Sequence, residues 1–313
     1  MARLLVFNPD HDYALAHGGA YYCPPAPVVK LARELYRLPA CWGEEGDYVL
    51  RPDGMAESIG CGAPERVEAL RGRIESVEPW GWNAALKHRL VELGCDLSLL
   101  PDDEELEKLR RLSHRRISIS CNEALGSPLV PKECFSEEEA MDFRKENPGC
   151  YFKMPWSSGG RGVIATEEVT EEKTREWVRG SIRRQGSVMA ERRIDRKLDF
   201  ATLWNIDPEG TVMMEGLSVF RSDGRGKYGG NLREPQARLQ AMIREAAPTY
   251  SEAVAERQKR FIEEHIAPHY RGKLGIDMAV DSAGTIYPCV ELNLRRTMGH
   301  VALEEMRAVE SET

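Results

Sequence analysis

The sequence predicts an α/β protein with α+β lobes, and three observations support this. Its 313 residues, 42% hydrophobic and 30% charged, are more than one small core needs, so two or three lobes are expected. In the first third, short apolar runs alternate with stretches of helical spacing, which is typical of a parallel sheet with packed helices. From Ser187 onwards the apolar runs are longer and strand-like, which indicates a further sheet.

The predicted N-terminal α/β lobe covers residues 1–114. Residues 3–7 form an apolar run that breaks at Asn8-Pro9, as a buried strand does where it enters a loop. The segment from Trp82 has apolar residues at helical spacing and ends at Gly94, which suits a helix C-cap. The other elements predicted in this lobe are strands at 47–50 and 73–78 and a helix at 27–36.

Two further lobes are predicted, at 115–190 and 191–313. The smaller one has a helix at 136–146 with Ser136 as N-cap, strands in CYFKM and GVIAT around a glycine-rich turn, and a helix at 170–184. The chain continues with strands in SVMAERRI, DFATLWNI, TVMMEGLSVF, LGIDMAV and TIYPCVELN, with a helix at 249–267. Residues 281–284 (DSAG) separate the last two strands and predict a hairpin turn.

Composition excludes several classes of function. The net charge of −8 argues against a general binder of nucleic acid or of membrane surfaces, because such partners need a basic field. Eight cysteines occur without a CxxC pair, which argues against a disulfide scaffold and against a zinc ribbon. No apolar stretch approaches the roughly 18 residues of a membrane span, and a cytoplasmic protein is expected.

The segment KMPWSSGGRGV, residues 153–163, is the first candidate site. A lysine inside a strand is costly unless its ammonium meets an anion, and a Ser/Gly-rich turn leaves backbone N–H groups available to phosphate oxygens. The segment fits neither GxxxxGK[ST] nor a helix-opening GxGxxG. A glycine-rich hairpin with a surface lysine is the alternative interpretation.

A second candidate site lies on the last two predicted strands. Glu291 and Asn293 are two residues apart, so their side chains point to one face of a strand, and Arg295 continues that alternation. If the strands pair through the 281–284 turn, Asp277 lies beside them, and three oxygen ligands are available for Mg²⁺. The alternative is a solvent-facing polar face. With the first candidate, the pattern indicates an ATP site split between two lobes.

At this point the sequence resembles the ATP-grasp superfamily over roughly residues 115–300. The segment GIDMAVDSAGTIYPCVELNLR is similar to the family's terminal metal motif over its whole length, and the strand lysine with its glycine-rich loop precedes it in the family's order. The resemblance implies an ATP-grasp fold with a parallel N-terminal lobe, the pre-ATP-grasp lobe. It also implies ATP and Mg²⁺ as cofactors, with Mn²⁺ as an alternative metal, held by Asp277, Glu291 and Asn293.

Carried over by position, the resemblance implies a nucleotide pocket. Lys153 would reach the phosphates, Glu191 would accept from the adenine amino group, and Asp199 would bind the ribose hydroxyls. The backbone of Ile194 would meet the ring edge, and Arg116 stands where many relatives have a lysine. The residues that would cover the β- and γ-phosphates are Ser157, Ser158, Gly159, Gly160 and Gly162.

The segment SDGRGKYGGN, residues 222–231, has the glycines and cations of a mobile lid over substrates. Lys227 is similar in placement to the family's second phosphate lysine, and Arg233 follows shortly after. The resemblance implies that Lys153, Lys227 and Arg295 offset the charge that develops in phosphoryl transfer, and Arg233 is a further catalytic candidate. An exposed basic hairpin loop is the alternative.

The implied reaction is ATP-dependent activation of a substrate carboxylate as an acyl phosphate, which an amine or another nucleophile then attacks. The expected partners are ATP and a small-molecule or peptide carboxylate, without nucleic acid or membrane, and a homodimer is left open. Two alternatives stay open: a small-molecule kinase of the same fold, and a nucleotide-binding regulator without turnover.

The segment NPDHDYALAHGG, residues 8–19, follows the first predicted strand and therefore lies at the carboxyl edge of the N-terminal sheet, where ligands bind in open parallel sheets. Its His/Asp spacing fits no metal cage. The sequence favours a substrate-recognition loop with Asn8, Asp10, His11 and Asp12 as contacts, and its acidity favours a substrate with an amine or several hydroxyls. A structural polar turn is the alternative.

Overall fold

A computed structural model describes residues 2–157, 162–222 and 228–311 of the chain. It divides into two compact units, Met1–Arg111 and Leu112–Thr313. The finer division of the second unit into lobes at 115–190 and 191–313 stays a prediction. Within the described ranges, no helix combines the length and the apolar content that crossing a membrane requires.

The first unit is a five-stranded sheet with order β4-β3-β2-β1-β5. Leu4, Val6, Leu50 and Val77 lie in its core, against Leu90 of a packed helix. Its strands are β1 (Ala2–Val6), β2 (Tyr48–Leu50), β3 (Met55–Ser58), β4 (Glu65–Arg66) and β5 (Ile74–Pro79). Its helices are α1 (His11–His17), α2 (Ala26–Glu34), α3 (Ala84–Glu92) and α4 (Asp103–Leu112), with single 3₁₀ turns at Leu38–Cys41, Val67–Leu70 and Leu97–Leu99.

Local signals explain the ends of α3. The side chain of Asn83 accepts a hydrogen bond from the Leu86 N–H at 2.9 Å, which caps the helix. The predicted stop is confirmed, because Gly94 follows the helix in the left-handed region at φ +78° and its N–H donates to the Val91 carbonyl.

The prediction of a parallel first sheet is correct for only part of it. Strands β2 and β5 lie parallel on either side of β1, whereas β3 and β4 are antiparallel to their neighbours. The physical reason is the tight connection after β2: Gly54 has φ +85° and its N–H donates to the Arg51 carbonyl, which returns the chain alongside β2. So short a connection permits only an antiparallel pair.

The prediction of a loop at residues 8–19 is wrong for seven of its twelve residues, because His11–His17 form helix α1. The Ala14 N–H donates to the Asp10 carbonyl, and Ala14 and Leu15 are buried on the inner face. Gly18 at φ +76° ends the helix. The apolar residues of this helix, 13–16, are consecutive and therefore show no helical spacing in the sequence.

The second unit contains two sheets. The smaller one has the order β6-β9-β7-β8 and packs against two helices through Phe152, Val178 and Ala190. Its elements are α5 (Ile117–Leu125), β6 (Lys132–Cys134), α6 (Glu137–Glu146), β7 (Tyr151–Lys153), β8 (Val163–Ala165), α7 (Glu171–Gln185) and β9 (Val188–Glu191). The Ser136 cap is confirmed, since its hydroxyl accepts from the Glu139 N–H at 3.1 Å.

The larger sheet has the order β12-β11-β10-β13-β14 and is antiparallel throughout. Its elements are β10 (Arg196–Ile206), β11 (Val212–Ser222), β12 (Tyr228–Asn231), α8 (Gln236–Ala246), α9 (Glu252–His265), β13 (Gly272–Asp281), β14 (Ile286–Asn293) and α10 (Met298–Ser311). The last third of the predicted lid is thus an edge strand, β12, rather than a loop. Helix α8 had no counterpart in the sequence prediction.

Candidate active site

The 281–284 turn aligns the residues of the predicted metal motif. The Gly284 N–H donates to the Asp281 carbonyl, and Gly284 has the left-handed φ of +83°. This turn sets a register in which Asp277 of β13 lies opposite Glu291 of β14, and Gly275 lies opposite Asn293. Directly opposed residues of paired strands share a face. The prediction that Asp277, Glu291 and Asn293 lie on one face is therefore confirmed.

The carboxyl group of Asp277 lies in an environment that disfavours its charge. Burial raises its pKa to about 7, and the nearby carboxylates of Glu291 and Asp199 add to the rise, against an opposing effect of Arg295. Asn293 connects Asp277 with Arg295. Its Nδ2 donates to Asp277 Oδ2 at 3.3 Å, and its Oδ1 accepts from Arg295 Nη2 at 3.0 Å. An added cation would relieve this excess of negative charge.

The donor set fits a hard divalent cation. It consists of two carboxylates and one carboxamide oxygen, the ligand types that Mg²⁺ and Mn²⁺ take in proteins. Among the residues that the structure describes, no group of three or more His, Cys, Asp or Glu side chains is placed to hold a metal. Phosphate oxygens and water would therefore have to complete the coordination, as is usual for nucleotide-bound Mg²⁺.

Lys153 and Glu191 form a buried ion pair in the smaller sheet. Their strands are neighbours, and Lys153 Nζ lies 2.5 Å from Glu191 Oε2, with 10% and 9% of the side chains exposed. A lysine buried to this degree needs a nearby anion, so the sequence argument for a functional lysine agrees with its environment. The interpretation of Lys153 as a surface lysine on a hairpin is wrong.

The glycine-rich turn after Lys153 is only partly described. Ser158, Gly159 and Gly160 lie outside the described residues. Gly162 closes the turn, because its carbonyl accepts from the Met154 N–H and its φ is +69°. A Cβ at Gly162 would come within 2.8 Å of the Ser157 side chain, so glycine is required there.

Asp199 lies near the start of β10 and is six per cent exposed, two residues before Ala201, which is opposite Asp277. It accepts from Arg196 Nη1 at 2.8 Å and from the Ser222 hydroxyl. Ile194 is half-buried in the connection from β9 to β10. Their predicted contacts with ribose and with the adenine edge stay predictions.

Arg115 and Arg116 are adjacent but point in different directions, and the residue predicted from the sequence, Arg116, is the exposed one. Arg116 is 53% exposed and pairs with Glu133 at 2.8 Å. Arg115 is 9% exposed, and its Nη2 donates to Glu291 Oε1 at 2.7 Å, in the metal motif. Sequence analysis missed Arg115 because both residues precede α5, and only the direction of the chain there decides which one faces the site. The predicted nucleotide contact of Arg116 stays a prediction.

The remaining predicted cations are placed differently. Arg295 contacts Asn293, as described above. Arg233 is 67% exposed, and its Nε lies 2.6 Å from Glu305 Oε2 on α10. Lys227 lies outside the described residues. The structure therefore brings Arg295 into the metal motif and pairs Arg233 with helix α10.

The candidate residues of the first unit lie at the carboxyl ends of β1 and β5. Asn8 joins these two ends: its Nδ2 donates to the Gly81 carbonyl at 2.8 Å, and the Gly81 N–H donates to Asn8 Oδ1 at 3.3 Å. His11 is 1% exposed, and its Nδ1 lies 3.4 Å from Asn83 Nδ2. Asn8 and His11 thus hold the backbone, while Asp10 and Asp12 are half-buried. Their role in substrate recognition stays a prediction.

Comparison with known proteins gives matches in structure but not in sequence. No family model matches the chain, and no curated protein matches it significantly. Among solved structures, it is similar to a pyruvate carboxylase from Rhizobium etli (TM-score 0.57, 14% identity, 97% of this chain). It is also similar to N5-carboxyaminoimidazole synthetase from Staphylococcus aureus complexed with ADP (0.54, 12%, 94%) and to biotin carboxylase from Campylobacter jejuni (0.52, 17%, 76%).

The chain spans 55% of the biotin carboxylase, 70% of the synthetase and 27% of the pyruvate carboxylase. Identities of 12–17% establish the fold that these proteins share with the chain and leave its substrates to be argued from the site.

Proposed function

We propose that this chain, which has the ATP-grasp fold, is an ATP- and magnesium-dependent ligase that activates a substrate carboxylate as an acyl phosphate. The observation that carries the proposal is the cross-strand placement of Asp277 beside Glu291, with Asn293 and Arg295 on the same face. A purely structural strand face has no need of two adjacent carboxylates, one of which, Glu291, helps to raise the pKa of the other, Asp277.

The nucleotide is proposed to lie against the smaller sheet. The Nζ of Lys153, which pairs with Glu191, is proposed to bind phosphate oxygens. Glu191 would accept from the adenine amino group, the backbone of Ile194 would meet the ring edge, and Asp199 would bind the ribose hydroxyls. The ADP-bound synthetase, similar to the chain over 94% of its length, supports a nucleotide site in this fold.

The metal is proposed to bind Asp277, Glu291 and Asn293. It would supply charge neutralisation for the phosphoryl groups. Arg295 orients Asn293 through its 3.0 Å hydrogen bond and adds positive charge beside the transferred phosphoryl group. The substrate carboxylate attacks the γ-phosphorus, ADP leaves, and an amine or another nucleophile then displaces phosphate from the acyl phosphate.

The first experiment asks whether the metal motif serves ATP. Wild-type protein should show a thermal shift with a non-hydrolysable ATP analogue that requires Mg²⁺. Glu291→Ala should lose that shift and about 10²–10³-fold in ATP turnover, the effect of losing one group that stabilises transition-state charge. Glu209→Ala removes an exposed carboxylate from the turn between β10 and β11 and serves as the control. Unchanged ATP binding and turnover in Glu291→Ala would refute the proposal.

A second experiment separates the ligase from a kinase and from a regulator. ADP release is screened across pools of amino acids, small acids and peptides, with hydroxylamine present to trap an acyl phosphate as a hydroxamate. A ligase gives ADP and hydroxamate together, whereas a kinase gives ADP and a stable phosphate ester. A regulator binds the nucleotide without turnover in any pool.

A further inference from the structure

Arg115 joins two separate parts of the candidate active site. Its Nη1 donates to the Met154 carbonyl and to Ser157 Oγ, both at 2.6 Å. Its Nη2 donates to the Ser157 carbonyl at 2.9 Å and to Glu291 Oε1 at 2.7 Å. Three of these acceptors lie in the segment after Lys153, and the fourth is a carboxylate of the metal motif.

These contacts use every terminal N–H of the guanidinium group. Nη1 and Nη2 carry two N–H groups each, and the four acceptors account for all of them. The remaining Nε is buried and has no hydrogen-bond partner. Arg115 can therefore reach a further anion only by giving up one of its present acceptors.

Of the four acceptors of Arg115, the carboxylate of Glu291 is the one that bears on metal binding. Glu291 lies opposite Asp277, and the charges of Glu291 and Asp199 both act on Asp277. Such a group of carboxylates repels itself unless cations lie close, and Arg115 supplies one positive charge at 2.7 Å from Glu291. In the free protein, Arg115 thus offsets the charge of Glu291, one of the two carboxylates that a divalent cation would bind.

We infer that Arg115 is a positioning residue that acts as a built-in counter-cation: it holds Glu291 and the segment 154–157 together in the free protein and yields Glu291 to the divalent cation. The inference rests on the proposed function for the identity of the metal site, and it concerns how that site is regulated. Metal binding is then coupled to the segment that follows Lys153, because the same guanidinium group holds both. The free protein binds the cation weakly, because the cation competes with a bound guanidinium.

The neighbouring residue provides a matched control. Arg116 has the same charge and is adjacent in sequence, but it is 53% exposed and pairs with Glu133 of β6 instead of Glu291. A substitution at Arg116 changes the net charge by the same amount as one at Arg115. Only the substitution at Arg115 removes the competitor for Glu291.

The test measures Mn²⁺ affinity without nucleotide, by titration calorimetry or electron paramagnetic resonance. Arg115→Met should bind Mn²⁺ about tenfold more tightly than wild type, because a close ion pair no longer competes. Arg116→Met should match wild type to within about twofold. A merely structural role would instead lower Mn²⁺ affinity in Arg115→Met, so equal or weaker binding by this variant overturns the inference.

A second measurement tests the inference if Arg115→Met does not fold. Glu291→Gln leaves Arg115 in place but removes the charge of its fourth acceptor. Hydrogen exchange at the Trp156 and Ser157 amides should then accelerate at least about threefold over wild type, without metal or nucleotide. Unchanged exchange overturns the inference. The proposed function fails by a different result, the absence of Mg²⁺-dependent ATP binding in wild type.

Discussion

The two units hold their candidate residues by different physical means. In the second unit, charged pairs hold them: Lys153 with Glu191, and Arg115 with Glu291. In the first unit, hydrogen bonds and contacts of amide groups hold Asn8 and His11: Asn8 pairs with Gly81, and Asn83 contacts His11. Charges respond to added ions and phosphates, whereas neutral hydrogen bonds hold a shape. The comparison favours phosphate and metal chemistry in the second unit and recognition of a less charged group in the first.

Lys153→Met, which breaks the charged pair of Lys153 with Glu191, should have the largest effect on nucleotide binding. The substitution removes a phosphate-binding cation and leaves Glu191 buried without its partner, so the ATP dissociation constant should rise about 10–100-fold. Isothermal titration with the ATP analogue and Mg²⁺ measures it. Lys132→Met, which alters an exposed lysine of the same sheet, should leave the affinity unchanged. Equal affinity in both variants would show that Lys153 does not bind phosphate.

Substitutions in the first unit should act on the acceptor substrate and spare the nucleotide. Asp12→Ala should raise the KM of the substrate about 3–10-fold, the effect of losing one polar contact, with ATP affinity unchanged. His11→Ala should raise the same KM and also lower the unfolding free energy by about 1–3 kcal/mol, because its ring fills the space beside Gly81. Weaker ATP binding with an unchanged KM would count against the assignment. Steady-state kinetics and thermal melts give both quantities.

The last expected effect is a pH-dependent gain in stability of the ligand-free protein. The folded state raises the pKa of Asp277 from 3.8 to about 7, so it binds this proton more tightly than the unfolded chain does. The group therefore costs stability as the pH rises from about 4 to 7. Asp277→Asn stays neutral, and at pH 8 it should be about 1–3 kcal/mol more stable than wild type, with the gain fading towards pH 5.

The ionised carboxyl group of Asp281, on the same strand, should affect the stability of the fold in the opposite direction to that of Asp277. Hydrogen bonds from the Thr285 N–H and the Tyr287 hydroxyl lower the pKa of its carboxyl group, so its ionised form stabilises the fold above its ordinary pKa. Asp281→Asn should lower the melting temperature at pH 8 and have less effect as the pH falls below about 4. If Asp277→Asn also destabilised the protein at pH 8, burial would not be the dominant cause of its raised pKa.

The accuracy of the sequence predictions follows the range of the interactions involved. Ser136 and Gly94 act on backbone groups within a few residues, and both helix ends were predicted correctly. The direction of β3 depended on a tight turn at Gly54 whose hairpin character was missed, and the apolar residues of helix α1 are consecutive, without helical spacing. Longer-range placement, such as the pairing of Arg233 with Glu305 on α10, has no local signal in the sequence.

The ATP-grasp fold and the grouping of Asp277, Glu291 and Asn293 could be predicted from the sequence. The grouping follows because a four-residue turn aligns Asp277 with Glu291 and strand alternation places Asn293 on the same face. The choice between Arg115 and Arg116 depends on the tertiary structure. The two residues are adjacent and identical, so no pattern of composition or spacing separates them. Burial against Met154, Ser157 and Glu291, which are 39 to 176 residues away, selects Arg115.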